Sequence, residues 1–158
     1  MNPQVKVNHN VGNTIEIPNL LDIRAVTYLT ANANAGVTAL PVDNAIDFTS
    51  GSSILLLVSS LGAENAEILS SASHSNTSFT VATSTMPHNR GDSVAQIAYD
   101  QILIQKSSTL GGSYSTLATL TFQVTTFTTT FFDGTVLATD YYKVQWRNSV
   151  TGEVSAAL

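Results

Sequence analysis

Any chemistry in this chain would have to come from its histidines, carboxylates or serines. The three histidines are His9, His74 and His88. They fall in an N-terminal segment, a polar turn and a loop, at no metal-ligand spacing. No cysteine is present to supply a thiolate ligand or a disulfide. Glu64 and Glu67 are close in sequence, but on a β-segment a three-residue offset sends them to opposite faces. They do not read as the paired acids of a hydrolase, and a solvated turn accounts for them. Asp43 and Asp47 flank a turn, where aspartate caps backbone donors, and the dense acidic loop of a calcium site is missing. Serines are abundant, yet no Gly-x-Ser-x-Gly elbow occurs. Gly111-Gly112 reads as a turn, because no Gly-Lys-Ser/Thr follows and no helix opens there. Arg90-Gly91-Asp92 spells an adhesion tripeptide, but a glycine in a loop before a strand explains it equally well. Asn76-Thr77-Ser78 fits a glycosylation acceptor that stays silent without a secretory leader. No catalytic residue, no cofactor and no metal is expected.

The aromatic residues Phe122, Phe127, Phe131, Phe132, Tyr141, Tyr142 and Trp146 cluster in the last third of the chain. Aromatic faces can stack on sugars, which keeps a carbohydrate-binding reading open. Core plus subunit interface is the stronger reading. Strand alternation sends Phe131 and Phe132, and Tyr141 and Tyr142, to opposite faces, so one of each pair belongs outside. Interfaces are enriched in such residues, and Phe131 and Tyr141 are the expected interface aromatics.

The elements that position these residues are β-type throughout, and no stretch of ten residues follows a helical period. Strand-like runs (Ile23 to Thr30, Val37 to Val42, Ser53 to Val58, Ala66 to Leu69, Ser78 to Ala82, Ser93 to Ala98) alternate with turn clusters. Their spacing of roughly ten residues points to a sandwich or barrel. A single helical turn fits around Asn44 to Phe48. Further strands are expected at Gln101 to Lys106, Tyr114 to Phe122, Val124 to Phe132 and Tyr141 to Trp146, with a last hairpin through Thr151-Gly152. The first twenty or so residues are polar. Val5 and Val7 alternate, turn residues intervene, and Ile15 and Ile17 alternate again. This reads as an extended arm whose partner interface is Val5, Val7, Ile15 and Ile17, against the alternative of a loose terminus.

Composition narrows the function classes. The chain has 158 residues, 43% hydrophobic and only 11% charged, with a net charge of −5. A surface so weakly charged has little defence against strand pairing at its edges, and partner subunits are one way to cover them. The six basic residues are scattered, leaving no footprint for nucleic acid or an anionic membrane surface. The N-terminus has no apolar signal segment, so synthesis in the cytoplasm without a cleaved leader is expected.

Two resemblances follow from particular residues. Tyr99 to Ser107, Gly112 to Leu117 and Tyr141-Tyr142-Lys143-Val144-Gln145-Trp146 resemble the C-terminal strands of a fibronectin type III domain, with Tyr142 and Val144 at its Tyr-x-Val pair. The first strands of that family, and its strand-B tryptophan, lack clear counterparts. The resemblance therefore implies either a trimmed sandwich or one completed by earlier strands. Val37 to Asn44, Phe48, Ser50-Gly51, Ala63 to Ile68 and Pro87 to Val94 resemble a small β-barrel module of tailed-bacteriophage virion proteins. Together they imply an all-β chain: an extended arm (1–22), a small β-barrel module (23–98) and a fibronectin type III-like β-sandwich half (99–158). The implied function is a structural virion protein, first a capsid decoration or cement protein bridging coat subunits. Its implied partners are the major capsid protein, other virion subunits and further copies of itself as a homo-oligomer. A head–tail connector, neck or tail protein, and a host-surface carbohydrate-binding or adhesion module, are the alternatives.

Overall fold

The computed structural model describes residues 14–60, 62–125, 128–135, 137 and 139–156. It is all-β. The strands are β1 (Thr14–Pro18), β2 (Ile23–Tyr28), β3 (Ala39–Pro41), β4 (Ser53–Val58), β5 (Glu67–Ser75) and β6 (Ser78–Val81). They continue with β7 (Ser93–Ile97), β8 (Gln101–Ser107), β9 (Ser115–Thr121), β10 (Thr128–Phe132) and β11 (Tyr141–Arg147). One 3-10 turn, Ala63–Asn65, precedes β5. The expected helical turn at Asn44 to Phe48 is not formed; those residues make a turn in which the Ile46 amide donates to Asn44 Oδ1.

Residues 23 to 97 build one antiparallel sheet in the order β2-β7-β4-β5-β6-β3. Its inner face carries Leu40, Leu55, Leu57, Phe79 and Val94, all fully buried, with Phe48 set edge-on to Phe79. The sheet is not the closed barrel that the resemblance to a small β-barrel module implies. Its outer strands β2 and β3 meet at one bridge, Leu29 with Val42. Two hydrogen bonds flank it, Thr30 N to Pro41 O and Asp43 N to Tyr28 O. β3 has only three residues, too few to extend that bridge into a ladder. β4 explains its own composition. Leu55 and Leu57 point into the sheet's core while Ile54 and Leu56 point to the opposite face, so a continuous apolar run is buried on both sides. β5 runs on through Ser71 to Ser75, where the polar composition predicts a turn. The ladder absorbs that stretch with a register shift between Ser71 and Ser73, and Ser71 Oγ donates to the carbonyls of Ser73 and Thr80.

The rest of the chain forms a second layered unit. β11, β8 and β9 make a three-stranded sheet, and β1 pairs with β10 in a two-stranded sheet. Ile17 of β1 lies in one core with Ile102, Ile104, Phe122, Tyr142 and Trp146, and Ile15 and Phe131 pack against it. The last part of the stretch expected as an extended arm lying on a partner subunit is instead packed on its own chain. From Thr14 onward the chain is a strand of the second unit, in register Ile15 to Phe131 and Ile17 to Thr129. The Trp146 indole N–H donates to Pro18 O at 3.0 Å across a sequence separation of 128. Asn19 is tied to the same unit through Thr129 Oγ1 and Gln123 O. The sandwich half is therefore completed by an earlier strand, and the six-stranded sheet is inserted between β1 and β8. The two units share Leu21, Ile68 and Val124, which pack on both the sandwich core and the outer-face cluster of Ile54, Leu56 and Ile97. The expected strand from Val124 shortens to β10, because residues 122–125 leave the sheet.

Candidate functional site

Two polar networks and one apolar surface are the candidates. The first network sits at the end of the six-stranded sheet. His88 is fully buried, and its Nε2 lies 2.9 Å from Glu67 Oε1. Glu67 Oε2 accepts from both the amide and the hydroxyl of Thr85. Asp92 Oδ2 lies 3.8 Å from His88 Nδ1, a nitrogen with no hydrogen-bond partner. Asp92 also accepts from the amides of Ser60 and Asn89. Burial works against its charge, but hydrogen bonds from Ser60, Asn89 and Ser59 outweigh that and hold Asp92 below the ordinary carboxylate range. The backbone of His88 exchanges two hydrogen bonds with Ala33, which pins the 83–92 loop across the sheet end. The network fastens a loop, and His88 has no exposed surface from which to meet a substrate.

Several sequence readings change here. Glu67 is not on a solvated turn; it is only 7% exposed and anchors the loop. Its role was hidden because Thr85 and His88 lie a loop away in sequence. In the Arg90-Gly91-Asp92 tripeptide, Arg90 is exposed but Asp92 is buried, so the acid of an adhesion motif is turned inward. Gly91 adopts φ +91°, the left-handed region that glycine enters without a Cβ clash, so the turn itself requires it. Asp43 and Asp47 are both exposed. His74 stacks near Phe48 and Phe79. Among the described residues no group of three or more His, Asp or Glu is placed to hold a metal ion.

The second network closes the sandwich. Lys106 Nζ lies 3.0 Å from Asp133 Oδ2 and 2.7 Å from Asp140 Oδ2. The Tyr142 hydroxyl donates to Asp133 Oδ2, and Thr135 donates to Asp133 Oδ1 through both its amide and its hydroxyl. Burial opposes the charge on both aspartates. Hydrogen bonds from Tyr142, Thr135 and Lys106 outweigh it at Asp133, and Lys106 with the Leu137 amide does so at Asp140, so both lie below the ordinary range. The Asp140 contact, with Asp133 beside it, raises Lys106. Burial, then Asp133, raises Tyr142. An ammonium between two carboxylates is a charge clamp that ties Asp133 and Asp140 to β8. Tyr142 is thereby a core residue whose hydroxyl finds a partner.

The apolar surface belongs to β2. Ile23, Val26 and Tyr28 are 52%, 49% and 54% exposed, and Val58 is 42% exposed. Register places Ile23 beside Ile97 and Ile54, Val26 beside Ala95 and Leu56, and Tyr28 beside Ser93 and Val58. These residues extend, into solvent, the same outer face whose centre is covered by Leu21, Ile68 and Val124. Along Ile23 to Val26 the outer edge of β2 has no strand partner among the described residues.

The predicted interface residues divide differently from expectation. Val5 and Val7 lie outside the described residues. Ile17 is 5% exposed inside the chain's own core and Ile15 packs against it, so these two side chains are committed internally. Of the two phenylalanines, Phe131 turns toward the core opposite Ile15 and Phe132 is the exposed one. Alternation holds, with the faces reversed from the expected choice. Tyr141 is half-buried beside Ser107 while Tyr142 is buried. The β2 surface escaped sequence reading because Ile23 to Thr30 looks the same whether its outer face is covered or open.

Comparison with protein-family models, with curated proteins and with solved structures returned no match.

Proposed function

We propose that this chain is a non-enzymatic structural subunit of a tailed-phage particle, a capsid decoration protein that stabilises the head shell by contacts with coat subunits. The observation that carries the reading is the open apolar edge of β2. Ile23 and Val26 stand in solvent beside a stretch of β2 edge with no strand partner among the described residues, with exposed Tyr28 at its end where Asp43 takes up the backbone, on a chain with only 11% charged residues to protect it. A neighbouring coat subunit that covers this face gains apolar burial and backbone hydrogen bonds together. Such a subunit stabilises the assembled state because it binds that state and not the free coat protein. Both polar networks fasten loops onto sheets, which suits a rigid building block. The resemblance of residues 37–94 to virion β-modules, and of 99–146 to fibronectin type III strands, supports placement on a particle. Further copies of the chain are the other expected partners, and the protein is expected in the virion after synthesis in the host cytoplasm.

The test is a double substitution, Ile23→Lys with Val26→Lys. Both side chains are half exposed, so the circular dichroism and melting temperature of the free protein should stay close to those of the parent. Association with purified particles should be lost. Undiminished association would remove the β2 edge from the account. A neck or tail role stays as the second reading, since the same edge could close a ring of subunits.

A further inference from the structure

The charge clamp of the sandwich has the parts of a reaction as well as of an ion pair. Lys106 follows Ile102 and Ile104 on the inward face of β8, and the register sets it opposite Tyr142 of β11, so the two side chains share a face. Asp133 directly follows β10, in the other layer. The charged groups are withdrawn from water: the side chains of Lys106, Asp133 and Asp140 are 19%, 7% and 3% exposed. Lys106 Nζ lies 2.7 Å from Asp140 Oδ2 and 3.0 Å from Asp133 Oδ2, with Asp133 Cγ one carboxylate bond beyond. Asp133 is held as more than a counter-ion. Its Oδ1 accepts from the Thr135 amide at 2.8 Å and hydroxyl at 2.7 Å, and its Oδ2 accepts from the Tyr142 hydroxyl at 2.6 Å. An amine beside a carboxyl carbon, two donors on the oxygen that would gain charge and a second carboxylate on the amine are the components of acyl transfer.

We propose that Lys106 and Asp133 condense within one chain to an isopeptide bond, with Asp140 as the base and the two Thr135 donors as the oxyanion site. One ammonium proton passes to Asp133 Oδ2 across the 3.0 Å contact, which frees the amine lone pair and neutralises the carboxyl. The lone pair forms the Nζ–Cγ bond, and the carbonyl π pair moves onto Oδ1, against the Thr135 donors. Asp140 takes a second proton from the nitrogen and returns it to the Oδ2 hydroxyl as the Cγ–Oδ2 bond breaks. The pair on Oδ1 restores the carbonyl. Ammonium and carboxylate thus become an amide and one water, no co-reactant is used, and Asp140 ends as it began. Burial favours the neutral carboxyl at Asp133 and Asp140, and hydrogen bonds outweigh it; at Lys106 the Asp140 bond outweighs burial. The ion pair is therefore the resting state, the first proton transfer runs uphill, and the bond forms slowly, once per molecule. The clamp described above is the state before condensation, and its pH dependence belongs to that state. With no cysteine in the chain, the amide ties the two layers where no disulfide can, and it needs no oxidant. It keeps β8 joined to the end of β10 even when other long-range contacts of the sandwich open. The reaction needs only the subunit itself, whether or not the chain sits on a particle.

Intact-mass spectrometry of the full chain, freshly purified and after prolonged incubation at neutral pH, tests the bond. The mass should fall below that of the sequence by one water, in all molecules or in a growing share of them. Trypsin should then fail to cut after Lys106, and peptide mapping should show a branched peptide joining Lys106 to Asp133. Lys106→Arg keeps the positive charge without a reactive amine and should keep the full sequence mass. Asp140→Asn, shown by circular dichroism to be folded, should condense at least roughly hundredfold more slowly, because an amide cannot take the proton. The parent mass decides the matter even where a variant fails to fold, and a mass unchanged after incubation would overturn the proposal. Loss of one water with Lys106 still cut would also overturn it, since that marks a succinimide at Asp133-Gly134. A branch from Lys106 to Asp140, or Asp140→Asn condensing at the parent rate, would overturn the assigned roles.

Discussion

The six-stranded sheet and the sandwich solve the same problem in different ways. The sheet is built from one continuous stretch, β2 to β7, around side chains with almost no exposure, and its loop is fastened by Glu67, His88 and Asp92. The sandwich takes its first strand from the start of the chain and the others from after the insertion. Several of its core contributors, among them Ala118, Leu120 and Val144, are only partly buried. Its closure comes from long-range contacts, the β1–β10 ladder, Ile17 in the core, and the links of Trp146 to Pro18 and of Asn19 to Thr129 and Gln123. A unit assembled from distant segments must close a large loop before its contacts form, and it tolerates the loss of any one link less well. The sheet should therefore be the more protected unit and the sandwich the one that opens first.

The largest expected effect tests the sheet. Phe79→Ala leaves a cavity against Phe48, Leu40 and their neighbours and should cost about 3–5 kcal/mol, measured by urea unfolding. A cost below 1 kcal/mol would mean that the inner face is less tightly packed than described.

Ile17→Ala tests the sandwich and should cost about 2–4 kcal/mol. Its signature is local. Amide exchange should quicken across β8 and β11 more than across β4 and β5. Uniform acceleration would show that the two units open together through Leu21, Ile68 and Val124, and the contrast between them would fail.

A smaller effect should come from the charge clamp. Asp133 and Asp140 are held below the ordinary value of 3.8. Their contribution is therefore complete above the unfolded carboxylate pKa and is lost as pH falls through the lower folded values. Lys106 and Tyr142 are shifted upward, so their contribution is complete below the ordinary 10.5 and 10.0 and fades as pH rises. Asp133→Asn should cost about 1–3 kcal/mol at neutral pH and flatten the loss of stability in acid. An unchanged acid limb would move the acid sensitivity elsewhere, Asp92 being the next candidate.

What could be read beforehand follows the same division. The insertion was legible because period-2 runs and turn residues lie next to each other, so local pattern and final pairing agree. β4 stood out as a buried strand, and β8 and β11 followed from the alternation of Ile102 with Ile104 and of Tyr142, Val144 and Trp146. The pairing of β1 with β10 was not legible, because no local pattern says which distant strand Ile15 and Ile17 will meet. Barrel closure was overread from a resemblance carried by turn residues, which serve an open sheet equally well. The polar networks were missed for a related reason. Glu67 with His88, and Lys106 with Asp133 and Asp140, become neighbours only after the strands pair. The exposed face of β2 was missed because apolar composition does not distinguish a covered strand from an uncovered one.

The proposed role of this chain is to be held among other subunits of a particle. Quantitative mass spectrometry of purified particles, scaled to the major coat protein, tests it most directly. The account predicts a copy number that follows the coat protein, as expected of a subunit that decorates the whole shell. Absence from the particle would contradict it, and a copy number fixed at that of a single ring would contradict the decoration role in favour of the neck.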